Sequence, residues 1–305
     1  MPRARPVPTI RLVAVCALLV CAGVVAFLAA CPPSSPEAPA HAPSGEDLPA
    51  PAPSQKPPAA IRPLAGGLLP PERPQPEERG LLAIIIDDAG YDLPGLQSFL
   101  DLPVPLTVAV LPNLPHSTEA ARRVIAAGKD LIVHVPMEPD GNEDPGPGAI
   151  LTSLTAAEVR RRLEADFTSV PGAIGMNNHM GSRATADEAV MRIVLGYLKE
   201  NGRLFVDSRT TAATAAPRVA RELGMPILQR DVFLDDDTRA DEIASWLSRS
   251  EEEARARGTA VAIGHVQNRA VADILRAAEK TLASRGVRFA RLGEVLVKRE
   301  RNPQP

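Results

Sequence analysis

Leu81-Leu82-Ala83-Ile84-Ile85-Ile86-Asp87-Asp88 is an unbroken apolar run that ends abruptly in two carboxylates. A strand with one wet face alternates apolar and polar residues. A run that is apolar at every position reads instead as a strand covered on both faces, as in parallel sheets packed under helices. Working outward, the same texture recurs at Leu106–Leu111, Leu131–Pro136, Ala173–Asn178, Arg203–Ser208, Pro226–Asp231, Ala260–His265 and Val287–Leu292. Between these runs lie helical patterns, among them Ala156–Phe167, Asp187–Glu200, Arg239–Arg257 and Ala270–Arg285. Thr155-Ala156-Ala157-Glu158 and Thr185-Ala186-Asp187-Glu188 both read as capping boxes that open such helices. Strand–helix alternation across residues 80–299 implies an α/β domain with a parallel sheet under helical cover, either a barrel or a doubly wound sheet.

The chemistry-bearing residues gather at the C-terminal ends of these strands. Asp87 and Asp88 end the first, His134 sits in the third, and Asn177, Asn178 and His179 end the fourth. Asp207 and Arg209 follow the fifth, Arg230 and Asp231 the sixth, and His265 the seventh. In parallel α/β folds those ends form one face, where ligands bind and catalytic groups are displayed. Solvation alone would scatter such residues over both ends and over the helices. Asp87-Asp88 by itself reads equally well as a turn, because Asp favours turns. Side chains of successive strand residues point to opposite sides, so the two carboxylates are expected to divide two tasks, one binding a metal and one accepting a proton. Two imidazoles, His134 and His179, with one Asp make a ligand set that leaves coordination open for water and substrate. His265 is placed to protonate a leaving group. His116, after Leu114-Pro115, reads as a solvent-facing or helix-capping residue.

Six ordered motifs carry a resemblance. They are Ile-Asp-Asp-Ala-Gly at 86–90, His-Val-Pro-Met-Glu-Pro at 134–139, Gly-Met-Asn-Asn-His-Met-Gly-Ser at 175–182, Asp-Ser-Arg-Thr at 207–210, Arg-Asp-Val-Phe-Leu-Asp at 230–235 and Ile-Gly-His at 263–265. Over residues 80–298 the chain resembles the divergent polysaccharide deacetylase family, the YibQ-type proteins of bacterial envelopes. The resemblance implies an irregular (β/α) barrel of the polysaccharide deacetylase type and a divalent metal, zinc foremost. It implies Asp88, His134 and His179 as metal ligands, Asp87 as general base and His265 as general acid. Ordinary members of the wider superfamily take their second histidine four residues after the first. Here that position is Glu138, and His179 looks like the replacement. Asn177 and Asn178 are then expected to bind substrate or support the metal, and Asp207, Arg209, Arg230 and Asp231 to orient the reacting groups. The implied activity is hydrolysis of an acetyl group on an envelope glycan. The competing readings are a glycan- or partner-binding protein that keeps the fold without turnover, and a metallohydrolase of phosphoester or glycosidic bonds. Retention of both Asp87 and His265 favours turnover, since a binding module needs neither base nor acid.

Composition narrows the partners. The net charge is -3, with no clustered excess of Lys and Arg to neutralise phosphates, so a nucleic acid is not expected. Cys16, Cys21 and Cys31 all lie near the N-terminus, which excludes a disulfide framework or thiolate metal site in the folded part. Arg3, Arg5 and Arg11 precede an uncharged apolar run, Leu12–Ala30, in the manner of an export signal. Its ending, Leu28-Ala29-Ala30-Cys31, resembles a lipoprotein signal whose cysteine becomes the lipidated mature N-terminus. An uncleaved transmembrane anchor is the alternative. Both place the domain outside the cytoplasm and tie it to a membrane. Residues 32–79 hold fifteen prolines among Ala, Ser and Glu, a composition that buries too little surface to order itself and is expected to act as a semi-rigid spacer. An alkyne palmitate analogue is expected to label the wild type and not Cys31→Ser; equal labelling of both, or of neither, leaves the transmembrane anchor.

Overall fold

The computed structural model describes residues 79–302. The Leu12–Ala30 run, Cys31 and the proline-rich stretch up to residue 78 lie outside the described residues. β1 (Gly80–Ala89) leads to α1 (Pro94–Leu100), β2 (Thr107–Val110), α2 (Ser117–Ala126), β3 (Asp130–Met137), α3 (Ala156–Ser169), β4 (Gly175–Met180), α4 (Ser182–Ala186) and α5 (Glu188–Glu200). There follow β5 (Leu204–Asp207), α6 (Ala216–Leu223), β6 (Leu228–Gln229), β7 (Val232–Phe233), α7 (Ala240–Arg257), β8 (Thr259–His265), α8 (Arg269–Ser284), β9 (Val287–Phe289) and α9 (Leu292–Arg301). Among these residues no helix is long and apolar enough to cross a membrane.

Every ladder of the sheet is parallel, in the order β6-β5-β4-β3-β2-β1-β8-β7, with β9 pairing the start of β1. The sheet is curled into a half-barrel, and the unbroken apolar run of β1 shows why. Leu82, Ile84 and Ile86 join the large core between sheet and helices, whereas Leu81, Ala83 and Ile85 join a second cluster on the inner face. Ala109, Ile132, Val206, Leu228, Val261 and Ile263 reach that inner cluster from five other strands, and Leu292, Val295 and Leu296 of α9 reach it too. Strands from both edges can meet in one cluster only if the sheet bends around it. Gly80 begins β1 because α7 passes so close that an added Cβ would lie 2.5 Å from the Ala254 carbonyl oxygen.

The Pro226–Asp231 run, expected as one strand, behaves differently. Leu228 and Gln229 pair with β5, the chain sidesteps at Arg230-Asp231, and Val232 and Phe233 pair with β8. Leu228 belongs to the inner cluster and so does Phe233, although one is an even and the other an odd position. A one-residue slip has therefore exchanged the faces of the strand. The polar end of this segment is consequently Asp235 rather than Arg230-Asp231. One of the two expected capping boxes forms, at Thr155 and Glu158 ahead of α3. At Thr185 it does not. There Asp187 caps α5 by accepting the Val190 N–H, and the Thr185 hydroxyl donates to the Gly181 carbonyl inside α4.

Candidate active site

The curl sends the inner-face positions of the strands toward one centre, and their parity decides which polar residues arrive there. Asp87 continues the series of Leu81, Ala83 and Ile85, His134 follows Ile132, and His265 follows Val261 and Ile263. In register, His134 stands beside Asn177, Pro136 beside His179, and Asp87 beside His265.

By the same parity Asp88 would turn away from this centre. It does not, because its backbone is left-handed, with φ of 64°, and the register between β1 and β2 shifts between Ile86 and Ala89. The expected opposition of the two carboxylates is thus replaced by a bulge that turns both inward. Met180 and Arg209, at the ends of β4 and β5, also hold positive φ, so backbone strain collects at the strand ends that face the site.

Oδ1 of Asp88 lies 3.2 Å from Nε2 of His134 and 3.1 Å from Nδ1 of His179, and the two ring nitrogens are 3.1 Å apart. Nδ1 of His134 lies 2.7 Å from Oδ1 of Asn177, which can only accept, so that nitrogen carries the ring proton and Nε2 is bare in the neutral ring. Oδ1 of Asp88 is buried without a hydrogen-bond partner of acceptable angle. With both ring nitrogens unprotonated, the three atoms present lone pairs to one another at this spacing, an arrangement that a cation among them would satisfy. A tetrahedral zinc ion, with bonds of about 2.0–2.1 Å to N and O, sets its ligand atoms about 3.3 Å apart, and the observed triangle fits it. Among the described residues these three form the group able to hold a metal ion.

Around the triangle each neighbour has a definite task. Asn177 donates from Nδ2 to Oδ1 of Asp87 at 2.8 Å while accepting from His134, so one amide fixes both the carboxylate and the imidazole tautomer. Burial pushes the Asp87 carboxyl up, and His134, His265 and Asn177 offset this only in part. Burial opposes the charge of Asp88 as well, yet His134 and His179 at its oxygen outweigh it and hold its pKa well below the ordinary carboxylate range. Two adjacent carboxyls are thus driven apart, one toward proton acceptance and one toward permanent charge. His265 would be lowered by burial, but Asp235 and Asp87 raise it to about 9. The buried Asp235 grips that residue twice, accepting its backbone N–H and lying 2.9 Å from its Nδ1.

Other expected residues lie apart from this centre. Asn178 faces the other side of β4, where Oδ1 accepts the Ser208 N–H and Nδ2 donates to the Met180 carbonyl. Asp207 accepts from the Arg209 N–H and the Thr214 hydroxyl, shaping the loop after β5. Arg209 is exposed and reaches Gln229 at 3.5 Å. Asp231 accepts from the Val261 N–H and pairs with Arg299, at the start of β7 rather than at its site end. Arg230 acts at one remove. Its guanidinium donates to the Ser208 and Arg209 carbonyls and lies 3.8 Å over the Phe233 ring, which stacks on His265. Glu138 accepts from Thr152 and is no ligand. His116 precedes α2 without a side-chain capping bond. Asp235, Phe233 and Gln267, whose Nε2 donates to Oδ2 of Asp88 at 3.2 Å, were not anticipated as site residues. Asp235 closes the quoted Arg-Asp-Val-Phe-Leu-Asp motif, but the slip that brings it to His265 leaves no mark in the sequence.

Comparison with known proteins bears on the family and the fold. Residues 84–296 match the profile of a family described as divergent polysaccharide deacetylase. A protein of Haemophilus influenzae is 35% identical over 201 residues, 66% of this chain and 71% of the relative. YibQ of Escherichia coli K12 is 35% identical over 186 residues, which is 61% of this chain and 58% of its own length. The crystal structure of a protein from Agrobacterium tumefaciens C58 has the same fold, with a TM-score of 0.67 at 22% identity over 71% of this chain and 89% of that one.

Because its folded pKa lies above the unfolded value, His265 favours the folded state most at low pH, and that contribution fades as pH rises toward 9. Asp235→Asn removes the leading upward influence. NMR titration of the His265 ring is expected to show its midpoint falling toward the ordinary imidazole value of about 6.5; an unmoved midpoint would show that Asp235 does not hold the ring's charge.

Proposed function

Because the chain belongs to the divergent polysaccharide deacetylase family, we propose that it is a metal-dependent hydrolase of the cell envelope that removes acetyl groups from a glycan. The fold in this reading is an irregular (β/α) barrel of the deacetylase type, opened between β6 and β7. The observation that carries the reading is the division of labour at the site. An open three-ligand set stands beside a buried carboxyl with raised pKa and an imidazole with raised pKa.

Asp88, His134 and His179 would hold the divalent cation, zinc by the preference of two imidazoles and a carboxylate. When bound, the cation supplies Lewis acidity, polarising the acetyl carbonyl and making water acidic enough to lose a proton near neutral pH. Asp87 takes that proton on the carboxyl that Asn177 orients. His265, protonated at neutral pH and held by Asp235, gives a proton to the departing amine or alkoxide as the acyl bond breaks. Asp235 and the stacked Phe233 keep that imidazole aimed. The apolar run ending at Cys31 supports an exported, membrane-tethered location, which the palmitate labelling addresses.

A binding protein would have no use for a base and an acid on the same face, so the paired groups favour turnover. The test is acetate release from acetylated chitooligosaccharides and peptidoglycan fragments, with zinc and with a chelator. Release should depend on the metal, and Asp87→Asn should lower turnover by ~10²–10⁴-fold. No release from any acetylated glycan by the zinc-loaded protein would sink the proposal. Release undiminished in Asp87→Asn would remove Asp87 as the base.

A further inference from the structure

A cleft of about 410 Å³ opens beside Asp88 and is lined further by Tyr91, Val266, Gln267 and Arg269. That volume lies within the ordinary range of small-molecule sites. The cleft exists because β1 and β8 are neighbours in register, Asp87 beside His265, so the loops that follow them run side by side. The Val266 N–H donates to the Asp87 carbonyl at 3.0 Å and ties the two loops together. Gln267 links the floor of the cleft to Asp88.

Two features of its walls are not needed for hydrolysis. Tyr91 is 60% exposed, the highest value among the large exposed hydrophobic residues, and stands one turn of chain beyond the catalytic carboxylates. An exposed aromatic ring beside a cleft offers a flat apolar face on which a ligand can rest. Arg269 is also exposed, and no described acid forms an ion pair with it. Arg269 is the first residue of α8, a sixteen-residue helix with no acid in its first turn. The helix end adds positive partial charge at the same place. Asn268 caps it by accepting the Ala270 N–H. Two acids also line the cleft: Asp88, whose charge the metal would offset, and the exposed Asp92, whose Oδ1 accepts the Gly95 N–H.

We propose that this cleft is a subsite for an acidic sugar, and that the substrate is a glycan whose unit next to the acetylated sugar carries a carboxylate. Arg269 grips the carboxylate with its planar fork of donors, and the apolar face of the pyranose covers Tyr91. The proposal rests on the hydrolase reading for the word substrate, but the binding preference it requires does not depend on turnover.

The test uses the full-length, zinc-loaded chain and two acetylated oligosaccharides of equal length. One is neutral N-acetylglucosamine; in the other, alternate units bear a lactyl carboxylate. Affinity for each is measured by calorimetry at low salt, and acetate release is followed in parallel. The carboxylate-bearing chain should bind about ten-fold more tightly, the scale of one charge-assisted hydrogen bond. Arg269→Gln should reduce that ratio to near one and Arg269→Lys should restore part of it. Arg276→Gln, on the same helix but outside the cleft, should keep the wild-type ratio. Equal affinity for the two chains, or a preference that survives Arg269→Gln, overturns the proposal even if acetate is released. A preference that Arg269→Gln abolishes supports it even if no acetate is released, in which case only the hydrolase reading fails.

Discussion

The left-handed backbone at Asp88 is the constraint on which the site depends. In a regular strand the residue after Asp87 would point into the helical core, and one of two adjacent carboxylates would be lost to the centre. A φ of 64° at a non-glycine residue carries a conformational cost, of order 1–3 kcal/mol in general. The surrounding ladders of β1 with β2 and β8 are what make it tolerable. In exchange, two carboxyls of identical chemistry stand within 3.6 Å and 3.2 Å of the same imidazole nitrogen. Their environments then separate them. Asp87 is wholly buried and its carboxyl is raised, while Asp88 meets two imidazoles and is lowered.

A second device serves His265. The segment from Leu228 to Asp235 pairs first with β5 and then with β8, so it joins the two edges of the curled sheet through the chain itself. The sidestep leaves carbonyls at the end of β5 without a ladder partner, and the Arg230 guanidinium supplies donors to Ser208 and Arg209. The same guanidinium covers Phe233, whose other face meets His265, and two residues on Asp235 fixes the imidazole from the side. His265 is thus braced by an irregularity in the sheet, and the triangle of Asp88, His134 and His179 by a different irregularity in β1.

How much of this was legible in the sequence follows from where the chain is regular. The unbroken apolar runs announced a parallel sheet, and their polar C-terminal ends announced the shared face, because both follow from strand periodicity alone. Asp87, Asp88, His134, Asn177, His179 and His265 meet there because they end or interrupt such runs. Asn178, Asp207 and Asp231 do not, although they occupy similar positions. Asn178 and Asp207 have the wrong parity, and parity relative to the core is invisible when both faces of a strand are apolar. Asp231 lies on the wrong side of the slip at β6 and β7. The slip itself, the bulge at Asp88 and the grip of Asp235 on His265 are products of tertiary pairing, and nothing in local spacing encodes them.

The central claim is that the bulge makes Asp88 the ligand and leaves Asp87 free to accept a proton. Metal content decides it most directly, measured by elemental analysis of the zinc-loaded wild type, Asp87→Asn and Asp88→Asn after identical dialysis. The account predicts about one equivalent of zinc in the wild type and in Asp87→Asn, and loss of most of it in Asp88→Asn. Zinc retained by Asp88→Asn and absent from Asp87→Asn would contradict the assignment and exchange the two roles.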